Sequence, residues 1–156
     1  YRLTYGETSW FGIRSALKAV DANANDVFYD LGCGTGRNVF YANVALGLRS
    51  VGVDLIHSFV AYASQVVEDC ELENIQFLEQ DIFVTNLSEA TIIYVTANCY
   101  DQETMQQLVQ RFNDLPQGAR VISTHRTIPS PRLQLEGSQR LPFSWGVDKV
   151  YYQSVI

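Results

Sequence analysis

The sequence predicts a three-layer α/β/α domain built on a doubly wound, mostly parallel sheet that ends in an antiparallel hairpin. Three observations predict it. Short apolar runs rich in β-branched and aromatic residues alternate with helical patterns through residues 27–124, as strands and crossover helices do in a parallel sheet. The run 27–31 meets three closely spaced glycines and then a helical pattern, which makes a strand, glycine turn and helix unit. The last thirty residues change character: Pro129, Pro131 and Pro142 forbid a long helix, while 133–141 and 147–156 alternate like strands. A chain of 156 residues that is 47% hydrophobic fills one core and is too short for two ordinary domains, so 1–156 is read as a single domain.

In chain order, Ser9 caps a helix over 10–20, where Ile13, Ala16, Leu17 and Val20 share one face. A polar turn at 21–26 leads into the first strand, 27–31, and the following helix covers about 36–46. A second strand, 50–53, ends at Asp54 and is followed by a helix over about 58–70. The third strand is 75–78. Residues 91–96, mostly β-branched and aromatic, form a central strand, and the helix 101–115 stops at Pro116. Gly118 opens the fifth strand, 120–124, and no room remains for a crossover helix before the terminal hairpin.

Composition narrows the function. The net charge is −6 and only two residues are lysine, which argues against direct nucleic-acid binding, because such affinity comes from many Lys and Arg contacts. The balance is uneven: residues 1–115 hold six basic and fifteen acidic side chains, and 116–156 hold five basic (Arg120, Arg126, Arg132, Arg140, Lys149) and two acidic. That basic segment reads as a solvated face, or as a docking surface for an acidic partner. No apolar run approaches the roughly 18 residues of a membrane span and no secretory pattern opens the chain, so a cytoplasmic or otherwise intracellular setting without membrane association is expected. Cys33, Cys70 and Cys99 lack metal-ligand spacing and are odd in number, so they read as reduced, partly buried thiols with no metal site.

The chemistry centres on Asp30-Leu31-Gly32-Cys33-Gly34-Thr35-Gly36. Glycines between a strand and a helix let the backbone turn tightly and approach a ligand, and the helix start offers free N–H donors. The third glycine comes one residue early for a dinucleotide fingerprint, since position 37 is Arg37, and no Gly-Lys-Ser/Thr ending marks a phosphate loop. Asp54 lies twenty-two residues after Gly32 at the next strand's end, where a carboxylate accepts bonds from both hydroxyls of a ribose. Asp81, after the third strand, is placed to take an adenine amine with Ile82 against the ring; the plain alternative is that it caps the next turn. Asp30 suits an amino-acid ammonium group. Together these positions describe an adenosine site.

This pattern resembles the class I S-adenosylmethionine-dependent methyltransferases, whose Rossmann-like fold carries a first motif of the form of Asp30 to Gly36 and a second strand ending like Asp54. A narrower resemblance is to the disruptor-of-telomeric-silencing family, the histone-lysine methyltransferases that lack a SET domain. It is carried by Tyr5-Gly6-Glu7-Thr8-Ser9-Trp10, by Ile92-Ile93-Tyr94-Val95-Thr96, by Gly118-Ala119-Arg120-Val121-Ile122-Ser123, and by Ser144-Trp145 with Val150-Tyr151-Tyr152. The resemblance implies S-adenosylmethionine as cofactor, held by Tyr5, Glu7, Thr8, Asp30, Gly32, Cys33, Gly34, Gly36, Asn38, Asp54, Leu55, Asp81, Ile82 and Thr96. It implies that Tyr151 or Tyr152 lines the channel to the methyl group, although cross-strand packing is the alternative for these tyrosines. Two departures stand out: the family's asparagine at the end of the fourth strand is Thr96 here, with Asn98 two residues on, and no lysine-rich flank lies within the chain.

The implied reaction is in-line methyl transfer to a protein lysine, with Asn98 and Tyr152 as catalytic candidates. A pocket aligning donor and nucleophile supplies much of the acceleration, and aromatic walls drawn from Tyr100, Trp145, Tyr151 and Tyr152 lower the amine's pKa by desolvation. The alternatives are a small-molecule acceptor, and an adenosyl-binding module without turnover. His57 reads as a helix-start residue and His125 as a residue at the open edge of the site. Neither Cys33 nor Cys99 has a basic neighbour in sequence, and both read as packing residues.

Overall fold

The computed structural model describes residues 6–156; Tyr5, expected at the cofactor, lies outside them. The elements follow the expected order: α1 (Trp10–Ala19), β1 (Val27–Leu31), α2 (Arg37–Phe40, continued as a π-helical turn over Tyr41–Ala45), β2 (Arg49–Asp54), α3 (His57–Asp69), β3 (Ile75–Glu79), β4 (Ile92–Thr96), α4 (Gln102–Phe112), β5 (Arg120–Thr124), β6 (Leu133–Phe143) and β7 (Gly146–Val155). Seven strands form one sheet in the order β3-β2-β1-β4-β5-β7-β6. The first five are parallel, and β7 enters antiparallel between β5 and β6.

Local chemistry fixes the helix starts. Ser9 Oγ accepts the Gly12 N–H at 2.9 Å while its hydroxyl donates to the Pro142 carbonyl at 3.0 Å, so one side chain caps α1 and ties it to β6. Asp101 caps α4 by accepting the Thr104 N–H at 2.8 Å. The helix expected over 36–46 is α-helical for its first turn only and then widens to a π turn. There Asn43 donates to the carbonyls of Leu48, Glu73 and Asn74, which pins the chain as it leaves for β2.

Strand alternation sends two sets of side chains to two cores. Ile92, Tyr94, Ile122, Val150 and Tyr152 pack beneath α1, α2 and α3. Ile93, Val95, Val121 and Val155 pack beneath α4 and the loop residues Leu87, Ala90 and Ile128. The layers are therefore unequal, with α4 the single helix on its face among the described residues.

Two expectations change. Cys33 is buried, but Cys70 and Cys99 are exposed because each follows the end of its element rather than packing in it. The basic segment is neither a solvated face nor a docking surface as a whole, since three of its five cations point inward. Arg120 pairs with the buried Asp26 and donates to the Val20 carbonyl, Arg132 donates to the Asn113 and Leu115 carbonyls, and Arg126 donates to the Ala97 and Tyr100 carbonyls. No helix of the described residues is long and apolar enough to cross a membrane.

Because α4 alone supplies helical cover on its side, truncating its buried Phe112 should cost about 3–5 kcal/mol. For a domain of this length that lowers the melting temperature by on the order of 10 °C. Thermal unfolding of Phe112→Ala measures it; an unchanged midpoint contradicts this packing.

Candidate functional site

Parallel strands aim their C-terminal ends the same way, and the order reverses between β1 and β4, opening a crevice there. The glycine turn lines one wall. The N–H groups of Gly32 and Cys33 donate to the Val53 carbonyl at 2.8 and 3.0 Å, so the turn is fastened to β2. Gly32 and Gly36 sit at φ +83° and +87°, where a side chain is strained. A Cβ at Gly36 would also fall 2.5 Å from the Phe77 ring, whereas at Gly32 nothing lies within 4 Å. The turn is thus packed tight from behind and open in front.

Asp54 holds the turn from the side. Its Oδ2 accepts the Gly34 N–H at 2.8 Å and its Oδ1 the Ile56 N–H at 2.9 Å, which leaves further lone pairs for ligand hydroxyls. Leu55 beside it is 67% exposed, an apolar surface at the crevice rim. Asp81 does cap its turn, accepting the Phe83 N–H at 2.9 Å, and Ile82 leans half-buried against the α4-side core. The Tyr100 phenol is pushed up by burial and then by the charges of Asp30, Asp54, Cys99 and Asp81.

Asp30 is the unusual group. It is 3% exposed near the end of β1, accepts a bond from Asn38 Nδ2 at 3.1 Å, and pairs with no lysine or arginine among the described residues. Burial raises its carboxyl to about 7, the Asn38 bond lowers it, and Asp54 raises it again. Asn38 Oδ1 is itself buried without a hydrogen-bond partner. A carboxylate without its cation next to an acceptor without its donor fits an ammonium group, which presents N–H donors and positive charge together. Glycine turn, ribose-type carboxylate and ammonium-type carboxylate in one crevice fit S-adenosylmethionine.

The segment before α1 straps this wall to the hairpin. Glu7 pairs with Arg37 at 2.5 Å and accepts from Thr35 Oγ1 at 3.4 Å, while Glu7 and Ser144 exchange bonds and Thr8 bridges Phe143. Thr8 Oγ1 shares a 2.7 Å hydrogen bond with the buried Tyr94 hydroxyl. Tyr94 is a site residue that sequence reasoning misses; the available signal is a phenol at the middle of a central strand otherwise apolar up to its terminal Thr96. Burial pushes its phenol up, the Thr8 bond lowers it, and Asp30, Tyr152 and Asp148 raise it further.

On the acceptor side, Thr96 ends β4 opposite Thr124. Asn98 lies beyond the strand in the turn before α4, so strand alternation does not carry it to Thr96's face. Arg126 fixes that turn through the Ala97 and Tyr100 carbonyls at 3.1 and 2.7 Å. Tyr152 is buried beneath α1 and accepts a bond from Gln139 Nε2, whereas Tyr151 faces the other way under Lys149. Trp145 stacks on Phe143, 4.5 Å between centroids, and covers Gly6, where a Cβ would come within 2.4 Å of its ring. Cys33 is a packing residue: burial and the neighbouring carboxylates push its thiol up, away from the thiolate. His57 pairs with Glu79 at the start of α3, and no group of His, Cys, Asp and Glu among the described residues could hold a metal.

The sheet order and the crevice define a class I methyltransferase fold. An RNA methyltransferase from Salinibacter ruber, solved with S-adenosyl-L-homocysteine, superposes with a TM-score of 0.76 at 27% identity over 92% of this chain and 89% of that one. Magnesium protoporphyrin IX methyltransferase from Synechocystis, solved with bound S-adenosylmethionine, gives 0.76 at 13% identity over 94% and 79%. More narrowly, residues 2–140 match the model of the histone methylation protein DOT1, and the chain belongs to that family. A "Histone-lysine N-methyltransferase, H3 lysine-79 specific" of Drosophila melanogaster is 29% identical over 140 residues, covering 80% of this chain and 8% of its own length. One from Emericella nidulans is 23% identical, covering 80% and 28%. The chain therefore spans less than a third of these relatives.

Asp30 generates a pH prediction. Because its carboxyl rises from 3.8 to about 7, the ligand-free native state keeps a proton that the unfolded chain loses across that interval. Stability should fall by on the order of a few kcal/mol as pH rises from about 4 to about 7 and then level off. An ammonium-bearing ligand favours the carboxylate, so its stabilising effect should grow as pH rises through about 7. Denaturant titrations across this range test both slopes; Asp30→Asn should flatten them, and an Asn variant with the wild-type slope contradicts the assignment.

Proposed function

We propose that this chain is an S-adenosylmethionine-dependent methyltransferase acting on a protein lysine amine. The buried carboxylate of Asp30 at the foot of the glycine turn, which no cation among the described residues pairs, carries the cofactor half of this reading, because it calls for the ammonium of an amino-acid-bearing nucleoside. The bound cofactor supplies an electrophilic methyl group on a sulfonium. The chain's own residues do the rest. Asp54 and Asp81 take the ribose and the adenine amine, Leu55 and Ile82 pack on the base, and the peptide groups of Gly32, Cys33, Gly34 and Gly36 admit the ligand closely. Asn38 turns its free Oδ1 to the ammonium, and Glu7 with Thr8 closes the pocket from the strap. Thr96, Asn98 and Tyr152 border the acceptor, where an apolar and aromatic wall lowers an amine's pKa by desolvation and frees its lone pair for in-line attack.

Family membership and the names of the relatives support the lysine acceptor. Histone-directed relatives also go with an intracellular setting, and with the nucleus more than with the cytoplasm expected from composition. A second reading, an RNA acceptor, has one observation behind it: the superposition on the Salinibacter ruber RNA methyltransferase at 27% identity.

The cofactor is tested by thermal shift with S-adenosylmethionine, S-adenosylhomocysteine and NAD. At a hundred times the dissociation constant the adenosyl ligands should stabilise by ~2.7 kcal/mol, a shift of roughly 5–10 °C, and NAD should not. Asp54→Ala should abolish the shift; Asp54→Asn, which keeps an acceptor for the Gly34 N–H, should weaken it while preserving the fold. Radiolabelled methyl transfer to core histones, to RNA and to a small-molecule extract then separates the acceptors. No adenosyl shift in the wild type defeats the proposal, and label found only in RNA defeats its lysine half.

A further inference from the structure

We infer that Asp148 is the acceptor-recognising carboxylate, holding the ammonium of a cationic acceptor at the hairpin-side mouth of the site. The inference rests on the methyltransferase reading and deepens it, since it names what the acceptor must carry.

Asp148 lies on β7 opposite Leu141, close to the hairpin turn. Its side chain is 18% exposed, yet no lysine or arginine among the described residues pairs with it. Oδ2 accepts from Trp145 Nε1 at 3.3 Å and lies 3.5 Å from His125 Nδ1, while Oδ1 accepts the Lys149 N–H at 2.7 Å. The nearby cations are turned elsewhere. Lys149 sits over the Tyr151 ring at 5.0 Å on the opposite face of the strand, and Arg126 is occupied by the Ala97 and Tyr100 carbonyls. A mostly buried carboxylate whose one cationic neighbour is a histidine, charged only when protonated, is stabilised further by a ligand that brings a permanent positive charge.

Position makes that ligand the acceptor. Thr96 is registered with Thr124 and Thr124 with Val150, so Asp148, two residues before Val150 on β7, lies beyond the same strand ends that carry Thr96. Thr124, registered between Thr96 and Val150, has a fully buried hydroxyl with no partner. His125, one residue on, holds a left-handed backbone at φ +71°, uncommon outside glycine, and its N–H donates to the Lys149 carbonyl at 2.8 Å, which keeps its ring beside Asp148. Trp145 adds an aromatic face that attracts cations. An ammonium entering here meets carboxylate and indole first and the Tyr94 and Tyr152 wall next, where it loses its proton to solvent. The free amine then attacks as the carbon–nitrogen bond forms and the carbon–sulfur bond breaks, its electron pair staying on sulfur. A phosphate-bearing acceptor would meet repulsion at the same carboxylate.

Steady-state kinetics with core histones as acceptor test this on the full chain. Asp148→Asn keeps the shape and an acceptor for Trp145, and should raise KM for histones about tenfold while kcat and S-adenosylhomocysteine affinity stay within twofold; Asp148→Glu should recover part of the loss. An unchanged KM in Asp148→Asn, with transfer intact, overturns the inference and leaves the methyltransferase reading standing. An equal loss of cofactor binding and melting temperature in both variants makes Asp148 structural and overturns it too. A wild type that binds the cofactor yet labels RNA and not histones overturns the lysine reading and the inference with it.

Discussion

The carboxylate of Asp30 is the group on which the rest of the site depends. It lies one residue before the end of the central strand β1, buried so that its charged form is disfavoured, with one amide donor beside it. Such a group is a liability in a folded protein unless it meets a cation, and its raised proton affinity expresses that cost. The surrounding architecture follows from giving that cation a body. A glycine turn fastened to β2 leaves space above Gly32, and Asp54 at the adjoining strand end offers acceptors one strand away, about 5 Å across the sheet. In the proposed complex, ammonium at one end and ribose at the other would fix the orientation of whatever lies between.

The second constraint is how a short chain closes its site. The segment from Gly6 to Ser9 is not a loose leader: it bonds to Ser144, bridges Phe143, caps α1 and reaches the glycine turn through Glu7. Thr8 and Tyr94 join that strap to the central strand, so cofactor wall, strap and terminal hairpin share one hydrogen-bond network. The same network separates the two halves of the chemistry. Asp30 lies near the end of β1 on the glycine-turn side, and Asp148 lies on the hairpin beside Trp145 and His125.

Most of the fold was legible in sequence because parallel strands announce themselves as apolar runs and the proline-broken tail excluded another crossover helix. Strand ends such as Asp54 were legible for the same reason. The rest depended on contacts between residues far apart in the chain. The π turn after α2 reflects Asn43 bonding to residues 73 and 74, which no local pattern encodes. Arg120, Arg126 and Arg132 looked like surface charge because composition counts cations without showing the carbonyls they reach. Alternation placed Asn98 on the face of Thr96 only if the strand continued, and it stops at Thr96. Tyr94 and Asp148 matter through their neighbours, so sequence alone gave them no special standing.

The central claim is that the crevice holds an amino-acid-bearing nucleoside by its ammonium group. A crystal structure with S-adenosylhomocysteine tests it most directly. The ligand's amino nitrogen should lie within hydrogen-bond distance of Asp30 and of Asn38 Oδ1, with the ribose hydroxyls on Asp54. A ligand found with its amino group away from Asp30, or seated elsewhere on the protein, would contradict the account.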